Sequence, residues 1–260
     1  MGNRDHLVEK TITDKNGHIR RVRVLPDSAS KVGKKAARSL APKQGAASVL
    51  TAEEEASRQQ SLENLNAAYR HLSKDFDIFP LEMQKAAIEA ANNPLLTDED
   101  TALVDTVATA CEDWNFHGTA LRMWAALGRR WHSENPDAPF VHGYAIGFDS
   151  ATPPETIREL FDRTEIKEGL HSIASNPSAP SDVISFYANY KEGWVREKAA
   201  GNPNLSRSDF DKLAADSEWR VQWRLAQNPS IPFDVLEKLA SAENEYVAHE
   251  AQSTLKGKKS

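Results

Sequence analysis

The sequence contains a single cysteine, Cys111, in 260 residues. It therefore lacks the pairs that an internal disulfide, a cysteine-only zinc site or a cysteine-held iron–sulfur cluster requires. Long apolar runs are also missing, since none approaches the roughly 20 residues that span a bilayer. The polar N-terminus has no apolar stretch typical of a secretory signal peptide. We expect a cytoplasmic protein that has no membrane segment.

The overall composition is that of a globular protein, with 40% hydrophobic and 27% charged residues. The charge is divided unevenly along the chain. Residues 1–45 carry eleven Lys and Arg against four Asp and Glu, whereas residues 46–260 carry 21 against 34. A basic arm of this kind suits nucleic acid or an acidic partner, and it is equally typical of a solvated tail.

The head of the chain predicts a β-hairpin followed by a linker. Two runs rich in Val, Ile and Thr flank Asn16-Gly17, which favours the positive φ angles of a type I′ turn. We predict a basic hairpin over residues 1–25 and a flexible linker over 26–50, where large apolar residues are almost absent. Five basic residues are candidate phosphate contacts: Arg20, Arg21, Arg23, Lys34 and Lys35.

From Thr51 the apolar period becomes helical. Thr51 and Glu54 have the spacing of a capping box, which predicts that a long helix begins there. Further helices are predicted to begin at Pro80, Thr97 and about Phe116. We predict a helical domain over residues 51–134.

The clearest pattern is a repeat in the second half of the chain. Asn-Pro recurs at Asn176, Asn202 and Asn228, a spacing of 26 residues each time. Asn tolerates the left-handed conformation that ends a helix, and the following Pro cannot continue one. Three further sets align in the same register: Ile184, Phe210 and Leu236; Ala188, Ala214 and Ala240; Val195, Val221 and Val247.

Each repeat therefore predicts two short helices, which must stack on their neighbours to bury their apolar sides. The predicted fold is all-α, a right-handed-type α-solenoid over residues 135–255. An earlier, looser copy has Asp149-Ser150 in place of Asn-Pro. A basic tail is predicted over 256–260.

These repeats resemble the leucine-rich repeat variant family. Its units read approximately Val-Arg, an Ala-rich turn, Asn-Pro-x-x-Pro and Leu-x-x-Leu-Ala, and the match is clearest over residues 194–240. The resemblance implies short helices alternating in a superhelix that is commonly used for binding. Units here are slightly longer than usual in the family, and the cysteine-rich iron–sulfur segment of some members has no counterpart. The similarity to HEAT-type solenoids is one of architecture only.

Histidines near Cys111 raise the question of a metal site, but their spacing argues against one. His117, His132 and His142 form no i, i+4 pair of the kind found in His-Glu-x-x-His sites. Cys111 continues the apolar stripe of its helix, so we predict a core residue and no thiol nucleophile. No cofactor, metal or catalytic residue is predicted.

An aromatic-dense stretch contains Trp114, Phe116, Trp124 and Trp131. We predict that these rings pack helices together. The alternative is the groove of a HEAT-like hydrolase that acts on nucleic acid, with Trp and Asp residues of 111–131 at its site. The net charge of −8 over residues 135–255 opposes phosphate binding there.

A set of Trp, Arg and Lys residues on successive units forms the candidate partner-binding surface. Trp and Arg dominate the energetics of many interfaces, and equivalent positions of a solenoid line one surface. The alternative is that Trp194 and Trp223 are core and that the arginines pair with neighbouring glutamates at 192, 197 and 218. The candidates are Trp194, Arg196, Lys198, Trp219, Arg220, Trp223 and Arg224.

The sequence thus favours a non-enzymatic repeat protein that binds a partner protein through its solenoid surface. One alternative is a nucleic-acid-associated protein that uses the basic arm of residues 1–45 and the lysines of the tail. The other is the nucleic-acid-acting hydrolase described above.

Overall fold

The structure, a computed structural model, describes residues 8–13, 19–24, 50–74, 78–164 and 167–259. Its contacts divide the chain into two units, Met1–Leu50 and Thr51–Ser260. None of the described helices combines the length and apolar character needed to cross a membrane.

The first unit contains two strands, β1 (Val8–Thr13) and β2 (Ile19–Val24). They pair antiparallel, with Val8 opposite Val24 and Thr13 opposite Ile19. The Asn16-Gly17 turn and the linker over 26–49 lie outside the described residues, so the hairpin and linker remain predictions.

In the second unit, every regular element that the structure describes is helical, so this part of the chain is all-α, as predicted. Four helices come first: α1 (Ala52–Leu72), α2 (Leu81–Ala91), α3 (Asp98–Asp113) and α4 (His117–Glu134). Shorter elements follow: α5 (Gly143–Phe148), α6 (Pro154–Arg163), a 3-10 helix (Lys167–Ser175), α7 (Ser181–Ala188), α8 (Gly193–Ala200), α9 (Arg207–Leu213), α10 (Trp219–Ala226) and α11 (Phe233–Leu239). The last helix, α12, spans Glu245–Lys259.

The predicted capping box starts α1. The Thr51 hydroxyl accepts a hydrogen bond from the N–H of Glu54 at 3.2 Å, and the Glu54 carboxylate accepts one from the N–H of Thr51 at 2.8 Å. Thr97 and Asp100 form the same reciprocal pair at the start of α3. Arg58 of α1 also donates to the Asp100 carboxylate at 2.8 and 3.2 Å, so this cap also joins the two helices.

Buried apolar side chains form two clusters in the second unit. The first draws on α1 to α4 and includes Leu65, Val104 and Cys111. The second runs from Ile146 to Ala251 and contains the aligned repeat positions at 184, 210 and 236 and at 195, 221 and 247. The second helices of successive units also touch in order, α5 with the 3-10 helix, then α8, α10 and α12.

A ladder of side-chain hydrogen bonds links the Asn-Pro turns. Each Asn is only 1% exposed, and its side-chain amide nitrogen donates to two backbone carbonyls of the preceding turn. One carbonyl belongs to the residue at the equivalent Asn position and the other to the residue two before it. The bonds run from Asn176 to Gly147 (2.8 Å) and Asp149 (3.0 Å), from Asn202 to Ala174 (3.0 Å) and Asn176 (2.8 Å), and from Asn228 to Ala200 (2.8 Å) and Asn202 (2.7 Å).

The side-chain oxygen of each ladder Asn also accepts a hydrogen bond within its own turn, from the N–H two residues on, at 2.8 to 2.9 Å. The prediction that these Asn residues adopt a left-handed conformation is wrong. Among the described non-glycine residues, positive φ occurs only at Asn115 and His142. Asn is needed in these turns because its short amide donates in one direction and accepts in the other.

The ladder begins at Asp149, which occupies the Asn position of the earlier copy. Its carboxylate accepts a hydrogen bond from the N–H of Ala151 at 3.1 Å, as an Asn oxygen would. A carboxylate has no proton to donate, and its second oxygen instead accepts from Arg129 of α4 at 2.7 Å. Arg129 also donates to Thr152 and to Asn92, at 2.8 Å each. One guanidinium thus ties α4 and the end of α2 to the first of these turns.

Truncating Asn202 to Ala should destabilise the protein strongly, because two buried carbonyls lose the hydrogen bond that Asn202 donates. We expect the free energy of unfolding, measured by urea denaturation, to fall by about 2–4 kcal/mol. Asn66→Ala is the matched control, since the exposed Asn66 amide also donates to a helix carbonyl but water can replace it. Equal losses in the two variants would contradict the structural role of the ladder.

Candidate interaction surface

The seven predicted surface residues lie on two adjacent helices, α8 and α10, but in different environments. Trp194 and Trp219 are 45% and 36% exposed, and Arg220 is exposed beside them. Trp223 is half-buried against the second apolar cluster, and Lys198 is half-buried as well. The alternative interpretation, in which Trp194 and Trp223 are both core, is therefore wrong for Trp194, whereas Trp223 does pack on the core.

Arg196 faces inward, with its side chain only 15% exposed. Its Nε and Nη2 atoms donate to the carboxylate of Asp216 at 2.7 and 2.9 Å, and Nη1 donates to the carbonyls of Tyr190 and Lys191 at 2.9 Å each. The alternative interpretation predicted that Arg196 pairs with a neighbouring glutamate. This is wrong, because the acid that it bonds is Asp216. This guanidinium fixes the start of α8 against the loop before α10.

Arg224 is exposed, and it has a local partner. Its Nη1 donates to the Gln227 side-chain oxygen at 3.1 Å. The guanidinium lies directly over Gly201, where a Cβ atom would come within 2.5 Å of Arg224 Nε. Arg224 therefore covers the end of α8 across the space that glycine leaves open.

Four exposed rings and the half-buried His171 lie on the second helices of successive units. We call this set the aromatic row: Tyr144, His171, Trp194, Trp219 and Tyr246. Neighbouring rings touch in two groups. The ring centroids lie 5.2 Å apart between Tyr144 and His171, 4.8 Å between His171 and Trp194, and 5.7 Å between Trp219 and Tyr246. Tyr144 and Tyr246 are 39% and 64% exposed.

Sequence reasoning missed Tyr144, His171 and Tyr246. A signal existed for Tyr246, which follows Trp194 by two repeats of 26 residues. Tyr144, Trp194 and Tyr246 are each the second residue of their helix. Tyr144 falls outside the repeat register, because it lies five residues before Asp149 whereas Trp194 lies eight residues before Asn202.

Carboxylates lie beside the rings. Glu192 and Glu218 occupy the residue before α8 and α10, respectively, at equivalent repeat positions. Glu218 reaches across to α8, since a Cβ atom on Gly193 would lie 2.8 Å from its Cγ. The Glu192 carboxylate pairs with the Lys191 ammonium at 3.0 Å, and the Arg220 guanidinium lies 4.9 Å from the centroid of the Trp219 ring.

The histidines near Cys111 have separate partners. His117 pairs with Glu112 at 2.8 Å, His132 pairs with Glu159 at 2.9 Å, and His142 stacks on Trp124. Burial raises the pKa of the Cys111 thiol to about 12, so it stays protonated at neutral pH. In the part of the chain that the structure describes, no three His, Cys, Asp or Glu side chains gather as metal ligands.

The aromatic stretch packs helices. Trp114, Phe116 and Trp124 are half-buried against the first apolar cluster. The Trp124 indole donates to Asp105 at 2.9 Å, and Phe116 meets Phe79 edge to face with centroids 5.4 Å apart. Trp131 is half-buried too. The rings therefore connect α2, α3 and α4 to one another and to the residues around them.

The basic residues of the two chain ends are placed differently. Arg20, Arg21 and Arg23 lie on β2, whereas Lys34 and Lys35 lie outside the described residues. The predicted tail is helical through residue 259, as part of α12. Lys258 there donates to the carbonyls of Pro229 and Ile231 at 3.3 and 2.9 Å.

The Arg196–Asp216 pair should make stability depend on pH. Burial acts to raise the pKa of Asp216, but hydrogen bonds from Arg196 and from the N–H of Glu218 outweigh it and lower the pKa below its usual value. The carboxylate thus stabilises the fold above the unfolded-state pKa of about 3.9, and this contribution is lost as the pH falls through the lower folded-state value.

We expect the free energy of unfolding to fall more steeply for the wild type than for Asp216→Asn between about pH 5 and pH 2. Chemical denaturation at a series of pH values measures both profiles. Asp211→Asn is the control, because Asp211 forms an exposed pair with Arg207. Parallel profiles for wild type and Asp216→Asn would show that the pair does not contribute as described.

Comparisons with protein-family models, with curated proteins and with solved structures find no match to this chain. The resemblance to leucine-rich repeat variants therefore rests on the repeat residues quoted above, and it remains a prediction.

Proposed function

We propose that this chain is a non-enzymatic α-solenoid of the leucine-rich repeat variant type that binds a partner protein through the aromatic row. The observation that carries the proposal is the line of exposed rings on successive second helices. Large exposed apolar side chains that lie together are typical of interaction sites on soluble proteins. Trp and Tyr are also the side chains most often found at the energetic centres of interfaces.

Three features support a solenoid. The second helices touch their successors in order, the Asn ladder repeats the same two bonds from turn to turn, and the aligned apolar positions are buried. A stack of this kind presents equivalent positions along one side, which suits an extended contact with a partner.

A second candidate function is association with nucleic acid through the basic head. The excess of Lys and Arg over residues 1–45 favours it. The acidic excess over residues 46–260 disfavours phosphate binding by the helical unit. The two functions predict different surfaces and a different dependence on nuclease, so one experiment separates them.

The experiment is affinity purification of tagged full-length protein from its own cells, with half of each lysate treated with nuclease. The double variant Trp194→Ala, Tyr246→Ala should lose a partner protein that the wild type retains in both halves. Loss of these two rings should weaken the partner's Kd by roughly 30-fold or more, because each lies at an energetic centre. Mass spectrometry and nucleic-acid staining identify what is bound.

Two further variants act as controls. Phe233→Ala removes an exposed ring on α11, away from the row, and should retain the partner. The triple variant Arg20→Glu, Arg21→Glu, Arg23→Glu should retain it too. Partners that vanish after nuclease treatment and with the triple variant would overturn the proposal in favour of nucleic-acid association.

A further inference from the structure

We infer that the partner presents an Arg- or Lys-rich segment, and that one of its cations stacks on Trp194 beside the carboxylate of Glu218. The inference rests on the proposed function and specifies the chemistry of its surface.

The aromatic row already holds one guanidinium. Arg220 lies over the Trp219 ring with its Cζ atom 4.9 Å from the centroid, within the range of a cation–π contact. Glu218 precedes this pair in the chain, so ring, cation and carboxylate occur together. This arrangement within the chain indicates that a ring and a carboxylate on this surface together suit a guanidinium.

Trp194 offers the same elements, but no cation of its own. In the repeat register it takes the place of Arg220, so a ring stands where the next unit has a guanidinium. Trp194 is 45% exposed, and among the described residues its ring meets that of His171 at an interplanar angle of 82°. No Arg or Lys stacks on it within the described part of the chain.

A carboxylate completes the site for a cation. The exposed Glu218 side chain lies against Gly193, directly before Trp194, whereas the Glu192 carboxylate has one oxygen paired with Lys191 and the other buried. A guanidinium can place its face on an indole while its N–H groups donate to carboxylates, and both contacts favour the charged form.

The charge of the wider surface agrees with this choice of partner. Glu243 and Glu245 are exposed beside Tyr246 at the end of the row. The cations nearby are already engaged, since Lys191 pairs with Glu192, Arg196 is bound to Asp216 and Arg220 stacks on Trp219. An acidic segment or a phosphate backbone would be repelled, whereas a basic segment would be attracted to the row.

The test measures binding of labelled synthetic peptides to the full-length protein by fluorescence anisotropy. One peptide carries Arg residues spaced by Gly and Ser, a second replaces each Arg with citrulline, which has nearly the same shape but no charge, and a third carries Glu. We expect only the Arg peptide to bind. Its affinity should fall as ionic strength rises from about 0.1 M to about 1 M.

The variants locate the site. Trp194→Ala and Glu218→Gln should each weaken Arg-peptide binding at least about fivefold, and Trp194→Phe should retain part of it because a ring remains. Phe233→Ala and Glu237→Gln change an exposed ring and an exposed carboxylate on α11, and neither should alter binding. Circular dichroism of each variant checks that it is folded.

Equal binding of the Arg and citrulline peptides would overturn the inference, as would Arg-peptide binding that survives both Trp194→Ala and Glu218→Gln. Absence of any peptide binding would overturn it too. If a protein partner is nevertheless lost from the Trp194→Ala, Tyr246→Ala variant, the row is an interface of other chemistry and the proposed function stands. If that partner is also absent, both proposals fail.

Discussion

The second half of this protein depends on the hydrogen bonds that buried Asn side-chain amides donate to the carbonyls of the preceding turn. Where a second helix ends, its last carbonyls point away from their own helix and need donors. Asn202 supplies two donor bonds to the preceding turn and accepts one within its own. Each turn is therefore held to its neighbour by direction-specific bonds, which apolar burial alone does not provide. At the first turn Asp149 accepts where Asn would donate, and Arg129 supplies the missing protons.

Periodic features of this fold could be predicted from the sequence, and single long-range contacts could not. The Asn-Pro turns, the buried positions at 184, 210 and 236, and the caps at Thr51 and Thr97 follow from local patterns. The partner of Arg196 does not, because Asp216 lies 20 residues away and is selected by how two units stack. The conformation of the ladder Asn was also mispredicted, since local preference was considered without the acceptors that the previous turn provides.

On the candidate surface, residue type alone was not enough to predict which side chains are free to bind a partner. Three arginines of α8 and α10 have three roles: Arg196 is an inward structural ligand of Asp216, Arg220 stacks on Trp219, and Arg224 covers Gly201. Which of these contacts an arginine makes depends on the side of its helix from which the side chain projects. The rings at the second residue of α5, α8 and α12 are all exposed, and Tyr144 was missed because it lies five residues before its turn residue, Asp149, whereas Trp194 lies eight before Asn202.

The Pro that follows each ladder Asn also bears on chemical ageing. Asn deamidates when the nitrogen of the next peptide bond attacks the side-chain amide, and this attack requires the N–H that Pro lacks. At Asn176, Asn202 and Asn228 the residue that ends the helix therefore also shields the amide from this reaction. Conversion to Asp would set a carboxylate against two carbonyl oxygens. The dipeptide thus protects the lifetime of the folded chain as well as its geometry.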